Sequence, residues 1–422
     1  MPLTAGPLLT LPPGSAPEPL ADYRARGGYE ALRRAVTSLT PAEVVREVSD
    51  AELRGRGGAA FPTARKWQLA LSAPGEEKYV VANGGEHEPG SRKDRVLLAT
   101  HPHTVIEGAA LAAFATGAHT AYIYLIEDMA DAVRAISAAI AEAREAGYVG
   151  GSVCGSSFAL ELRVQLAPTT YVAGEETAAL EVIEGRQALP RKKPPYPGEQ
   201  GLYGKPTTIN NVETLAHVPG ILRLGASWFK GLGVAGSAGT MLYTLGDEVV
   251  NPGVYELPFG RILRELVEGR GGGLKDGRRI KAILPAMSCA WLKSTALDLA
   301  LDHESLKAAG SSLGCGGLSL VAEGECLVER CLAIARFFMA EQCGQCSPCR
   351  METNTIAAVL EKVATGEAGD YRAQIEKIAA FARKRGNCSL IEMAAAPIVS
   401  ALALFPDDFA AHAANGSCAL TA

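Results

Sequence analysis

"KYVVANGGEHEPGSRKDR", residues 78–95, decides the fold class. Tyr79–Ala82 reads as a short buried strand that ends at Asn83 and spills into a glycine-containing loop. Downstream come a helix-like run from His103, the strand "AYIYL" (121–125), the helix "MADAVRAISAAIAEAREAG" (129–147) and the alternating strand "LELRVQL" (160–166). Strands alternating with helices predict an α/β sheet, whose ligands lie beyond the carboxyl ends of the strands. Upstream, "RGRGGAAFPTARKWQLA" (54–70) removes side chains at Gly55, Gly57 and Gly58 and leaves Arg56, Arg65 and Lys66 beside the gap. Bare backbone of this kind cradles a phosphate or a flat ring. It has neither dinucleotide-fingerprint spacing nor the G-K-[ST] of a P-loop, so alone it reads first as a tight surface turn. Before it, residues 15–50 carry helical patterning, with Thr40-Pro41 as cap and first-turn proline.

Further along, "MLYTLGDEVVNPGVYELPFG" (241–260) has β-rich runs parted by an Asn-Pro-Gly turn signal, which predicts a small α+β unit to about residue 320. From Glu325 the pattern is helical. "YRAQIEKIAAFARKRG" (371–386) places Tyr371, Ile375, Ile378 and Phe381 at helical spacing. At 422 residues the chain accommodates several domains, and its net charge of −5 indicates no nucleic-acid footprint. The longest apolar run, "AAAPIVSALALF" (394–405), falls far short of the roughly 20 residues a bilayer span needs. "MPLTAGPLLTLPPG" lacks the positive start of a secretory signal, so the chain reads as cytoplasmic.

Ten cysteines are too few for a disulfide scaffold. Cys154, Cys289, Cys315, Cys326, Cys331 and Cys418 are scattered and read as small buried hydrophobes. "CGQCSPC" is different: Cys343, Cys346 and Cys349 stand at two-residue gaps, and Cys388 follows 39 residues after Cys349. Three thiolates in one loop with a distant fourth suit a four-iron cluster, with structural zinc as the alternative.

The chain resembles the flavin-bearing, NADH-oxidising 51-kDa-type subunit of respiratory complex I and its relatives in NAD-dependent formate dehydrogenases and hydrogenases. The resemblance rests on "LRGRGGAAFPTARKW", "NGGEHEPGSRKD", "YVAGEETAALEVIEG", "RKKPPYPGEQGLYGKPTTINNVETL", "LGCGGLSLV" and "EQCGQCSPCR", in that order. It implies a flavin-binding α/β domain over residues 1–235, a β-grasp domain over 236–324 and a helical 4Fe-4S domain over 325–422. It also implies FMN, one 4Fe-4S cluster and NADH as substrate. Gly55, Gly57 and Lys66 would meet the flavin, and Phe61 would stack on the adenine of NADH. Asn83, Glu86, Glu88, Tyr171, Glu175 and Glu176 would line the flavin and nicotinamide pocket, with Glu88 and Tyr196 toward NADH. Asn210, Asn211 and Thr214 would hold the phosphate and ribityl chain, and Cys343, Cys346, Cys349 and Cys388 would hold the cluster. Read without the resemblance, Glu175 and Glu176 are first-turn glutamates, and Asn210-Asn211 is a polar turn.

Three departures from the family pattern stand out. Gly85 replaces an acidic residue beside His87, Leu69 replaces an aromatic two residues after Trp67, and "PAMSCAW" (285–291) replaces a Gly-rich stretch. The resemblance implies hydride transfer from NADH to flavin and single-electron transfer to the cluster. Electrons would leave through a separate two-iron thioredoxin-like or ferredoxin-like subunit, at the periphery of a larger complex. The alternatives are an electron-transfer subunit with another donor or the reverse direction, and a scaffold that keeps a structural cluster without nucleotide turnover.

Overall fold

The computed structural model describes residues 6–12, 14–367 and 369–417. Cys418 lies outside them, as does the start of the N-terminal stretch. β1 runs Tyr79–Asn83, where the sequence places it. β2 (Thr120–Ile126) and β3 (Glu161–Ala167) follow, reached through the helices Pro102–Thr116 and Ala130–Glu145. A fourth strand, β4 (Thr207–Asn211), replaces the polar turn expected at Asn210-Asn211. Its β-branched Thr207, Thr208 and Ile209 suit a strand, and Asn211 ends it by capping the helix Val212–Leu224 through the Glu213 N–H.

All four strands are parallel, in the order β3-β2-β1-β4. The chain moves to one side of β1 for β2 and β3, then returns to the other side for β4. The order therefore reverses between β1 and β4, the switch point beyond whose carboxyl ends α/β sheets bind their ligands. Asn83 and Asn211, the last residues of these two strands, are register partners across it.

The helix Pro102–Thr116 is buried almost all round, as its apolar composition requires. It approaches the helix Val212–Leu224 so closely that a Cβ on Gly108 would stand 2.1 Å from the Leu215 carbonyl oxygen. The helices Glu30–Ser38 and Pro41–Asp50 add apolar stripes to the same core, and Thr40 with Glu43 forms a reciprocal capping box ahead of Pro41.

The second sheet comprises β5 (Thr240–Leu245), β6 (Gly253–Pro258), β7 (Ile280–Leu284), β8 (Leu292–Lys293) and β9 (Gly317–Ala322), in the order β6-β5-β9-β7-β8. β5 and β6 form an antiparallel pair joined through the Asn251-Pro252-Gly253 turn, and β5 and β9 run parallel at the centre. A central parallel pair made of the first and last strands, flanked by antiparallel neighbours, is the β-grasp arrangement. The rest is helical: Leu327–Glu341, Ser347–Thr365, Tyr371–Ala382, Leu390–Leu404 and Pro406–Asn415. In the Tyr371 helix Ile375 is buried, but Phe381 is 41% exposed. No single helix among the described residues is long and apolar enough to cross a membrane.

Candidate functional site

The Gly-rich loop folds back on itself, with Gly55 N–H donating to the Phe61 carbonyl at 2.9 Å. Its tip lies on the end of β4: a Cβ on Gly57 would stand 3.2 Å from Asn211 Cβ. Gly58 has φ +117°, so the bare backbone at this point is a conformational requirement as well as a steric one. Lys66 remains at the gap and donates to Glu176 at 2.9 Å. Arg56 does not. Its buried guanidinium donates to the carbonyls of Thr240 (3.0 Å), Ala238 (2.8 Å) and Arg54 (2.8 Å) and lies over the Phe259 ring. It fastens the loop to the second sheet. Phe61 is 44% exposed, with Arg65 over its ring.

Beneath the loop, the crevice floor is a buried charge network. Lys93 Nζ meets Asp94 at 2.7 Å and Glu213 at 2.8 Å. Burial opposes the lysine's charge, but the carboxylates of Asp94, Glu213 and Glu86 outweigh it and hold its pKa well above the usual value. Asn211 is fixed by this network, donating to Asp94 at 2.6 Å and to the Asn83 carbonyl at 3.2 Å. Asn83 donates to the Gly174 carbonyl and accepts from Gly85 N–H. Glu86 accepts from Ser91 Oγ and from the N–H groups of Asp94 and Arg95, which caps the helix Lys93–Thr100. Asn210 accepts from the Trp67 indole at 2.8 Å, and Thr214 accepts from Arg56 N–H at 2.8 Å. The side chains of Asn210 and Thr214 thus brace the cradle from behind.

The outer wall comes from three parts of the chain. Tyr171 OH donates to Glu88 Oε2 at 2.6 Å, while Glu88 Oε1 accepts from Ser288 N–H (3.0 Å) and Oγ (2.9 Å). Ser288 belongs to "PAMSCAW", so this departing stretch reaches back from the second sheet to hold Glu88. Tyr171 N–H donates to Glu341 at 2.8 Å, at the end of the first C-terminal helix. Glu175 caps the helix Glu176–Ile183, accepting from Thr177 and Ala178 N–H, and Lys193 bridges Glu175 (2.9 Å) and Glu176 (3.1 Å). Burial disfavours the Glu176 charge, but Lys66 and Lys193 more than offset it, so its pKa lies below the usual carboxylate value. Tyr196 is 54% exposed beside this wall.

His87 fills the space that Gly85 leaves. A Cβ on Gly85 would stand 3.1 Å from its Nε2, and one on Gly174 would stand 2.8 Å from its Cδ2. Burial lowers the pKa of this imidazole, so the ring is neutral near pH 7. Gly85 thus stands where the family pattern has a carboxylate, and the neutral His87 ring where it has a small polar residue.

Cys343, Cys346, Cys349 and Cys388 line one cavity with Pro190, Gly344, Gly386 and Asn387. Asn387 N–H points at Cys346 Sγ at 3.3 Å, a donor of the type that stabilises thiolate sulfur. No three described His, Cys, Asp or Glu side chains converge on a single-ion site. Four thiols around one cavity supply the one-per-iron ligand count of a cubane. Burial pushes the thiols of Cys349 and Cys388 up to about 12 and about 11, so metal binding must displace their protons. One turn past Cys349, Glu352 is buried with both oxygens unpartnered, and burial raises it to about 8. No local pattern in the sequence signals this carboxyl. Of the remaining described cysteines, Cys289 and Cys331 are buried, while Cys326 caps a helix and contacts His412 at 3.0 Å.

Residues 48–220 match the family model described as Nuo51 FMN-binding domain, and residues 329–412 match the NADH-ubiquinone oxidoreductase-F iron-sulfur binding region. The chain belongs to this family of flavin- and cluster-binding F-type oxidoreductase subunits. It is 43% identical over 402 residues to the F 2 subunit of NADH-quinone oxidoreductase from Rhizobium meliloti (strain 1021), covering 94% of this chain and 95% of that protein. It is 37% identical over 406 residues to the HndC subunit of the NADP-reducing hydrogenase from Solidesulfovibrio fructosivorans, covering 95% and 82%. Among solved structures, an NAD+-reducing NiFe-hydrogenase in the air-oxidized state matches with a TM-score of 0.82 at 34% identity, over 94% of this chain and 67% of that one.

Proposed function

We propose that the crevice between β1 and β4 holds FMN with NADH against it, and that electrons leave through a 4Fe-4S cluster on the four cysteines. The observation that carries this reading is the meeting of bare Gly57 backbone with the paired strand ends Asn83 and Asn211 at the switch point. When bound, FMN supplies the conversion of two-electron to one-electron chemistry. The chain's own residues position and exclude. Gly55 and Gly57 let the rings approach the backbone, and Lys66 presents an ammonium to the crevice. Phe61 and Tyr196 offer exposed aromatic faces to the base and ring of the dinucleotide. Asn211 is immobilised by Lys93 and Asp94, and Glu88 by Tyr171 and Ser288. Hydride transfer needs no side-chain acid or base, so the pocket works by alignment.

The wall is also the bridge to the cluster cavity, because Pro190 lines that cavity and the Glu175 charge bears on Cys388. The partner is a separate electron-accepting subunit, two-iron thioredoxin-like or ferredoxin-like, in a cytoplasmic complex or one at a membrane's inner edge. The test is a visible spectrum of purified iron-loaded protein before and after NADH, with extraction of the cofactor. One FMN per chain and bleaching of its absorbance are expected. Iron-loaded protein without flavin overturns the reading.

A further inference from the structure

The segments that line the cysteine cavity are flanked by four exposed cations, which form its outer lip. Arg383, Lys384 and Arg385 make the turn from the helix Tyr371–Ala382 to Cys388, and Arg350 directly follows Cys349. The Asn387 N–H directed at Cys346 Sγ ties this turn to the cysteine triplet. Among the described residues none of the four makes an ion pair, although Arg336 pairs with Glu361 and Arg372 with Glu376 in the same helical unit. The nearby carboxylates make no ion pair with these four side chains, although Glu392 is bound to the turn's own backbone. Glu392 accepts Lys384 N–H at 2.8 Å, Glu341 accepts Tyr171 N–H, and Glu352 is buried. Lys384 sits at φ +60°, a left-handed conformation that glycine or asparagine takes more readily, yet a cation stands at the tip.

Two exposed apolar side chains stand on the same two segments, Met351 directly after Arg350 and Phe381 two residues before Arg383. Met351 is 51% exposed and Phe381 41%, and Arg385 covers the Phe381 ring at 4.5 Å. Exposed methionine and aromatic groups ringed by arginine have the composition of a protein interface. The chain as a whole is acidic, at −5, so the positive lip is a local feature at the exposed edge of the metal cavity.

We infer that this lip is the docking face for an acidic electron carrier, a partner subunit whose negative surface surrounds its own redox centre. The inference rests on the reading that electrons leave through the cluster. Charge complementarity of this kind steers encounter and sets orientation, bringing two centres edge to edge.

The test uses the holoprotein and an acidic plant-type two-iron ferredoxin as probe, with basic cytochrome c as the charge-inverted control. Binding is measured by calorimetry at about 0.05 M and about 0.5 M salt, where screening lengths differ severalfold. The Arg383→Glu/Arg385→Glu protein should bind ferredoxin at least about tenfold more weakly at low salt and bind cytochrome c more tightly, with both differences fading at high salt. Iron content and flavin bleaching by NADH are followed on the same samples. Bleaching that fails in the parent protein sinks the functional reading. Normal bleaching with no ferredoxin binding, or with affinity indifferent to charge reversal and salt, overturns the docking face.

Discussion

Arg56 is a cation beside a Gly-rich gap that serves the fold instead of a ligand. Its three carbonyl acceptors come from the loop itself and from the start of the second sheet, and the side chain that joins them is only 1% exposed. Replacing it with methionine keeps much of the bulk and strands those acceptors. We expect Arg56→Met to lose about 2–4 kcal/mol of unfolding free energy in denaturant titration. A loss under about 0.5 kcal/mol would show that the three bonds contribute nothing net. Gly57 makes the complementary case. In Gly57→Val the new side chain meets Asn211 at the loop tip, so FMN affinity should fall about 10- to 100-fold, or about 1.4–2.8 kcal/mol, while iron content stays at the parent level. Fluorescence titration of flavin-free protein with FMN reads this directly, and unchanged affinity would remove the loop from the flavin site.

At the scale of elements, the N-terminal segment hangs from β6 by one buried carboxylate. Glu256 Oε2 accepts the N–H groups of Leu8 and Leu9, both at 2.9 Å, and Oε1 accepts from Thr240. Burial raises Glu256 from 4.5 to about 7. The folded state therefore holds this proton more tightly than the unfolded chain. The group's contribution is most favourable below pH 4.5, declines as pH rises through 7, and is constant above that. The decline amounts to about 3 kcal/mol at most. Glu256→Gln should flatten the difference in unfolding free energy between pH 5 and pH 8, and an identical slope in parent and variant would refute the assignment. Elements of this molecule are legible in sequence where apolar runs or turn signals are strong: β1, β2, β3, the buried helix from Pro102 and the β5–β6 hairpin. β4 is hidden because its two asparagines look like a turn until the switch point gives them a strand end to occupy. The four cysteines announce themselves by spacing. The direction of Arg56, the ring of His87 beside Gly85 and Gly174, and the buried Glu352 are set by tertiary neighbours, which no local pattern encodes.

At the scale of the whole molecule, the FMN-binding region (48–220) and the iron-sulfur region (329–412) are separate stretches of chain, so their half-reactions should separate. Cys346→Ser exchanges a soft thiolate for a hydroxyl and should lose or degrade the cluster. Provided circular dichroism shows that the helical unit still folds, the variant should bleach its flavin with NADH yet fail to reduce any acceptor that draws from the cluster. Reduction of the partner at the parent rate by folded, cluster-free protein would mean that electrons leave from the flavin directly. The shared wall between the sites has one more consequence, for how the molecule is made. Glu88 and Tyr171 emerge early in synthesis, but the groups that hold them, Ser288 and Glu341, emerge much later. During translation the first sheet is complete while Glu88 and Tyr171 still lack these two anchors. The Glu88–Tyr171 side is therefore fixed only in chains that have already finished their β-grasp and helical units.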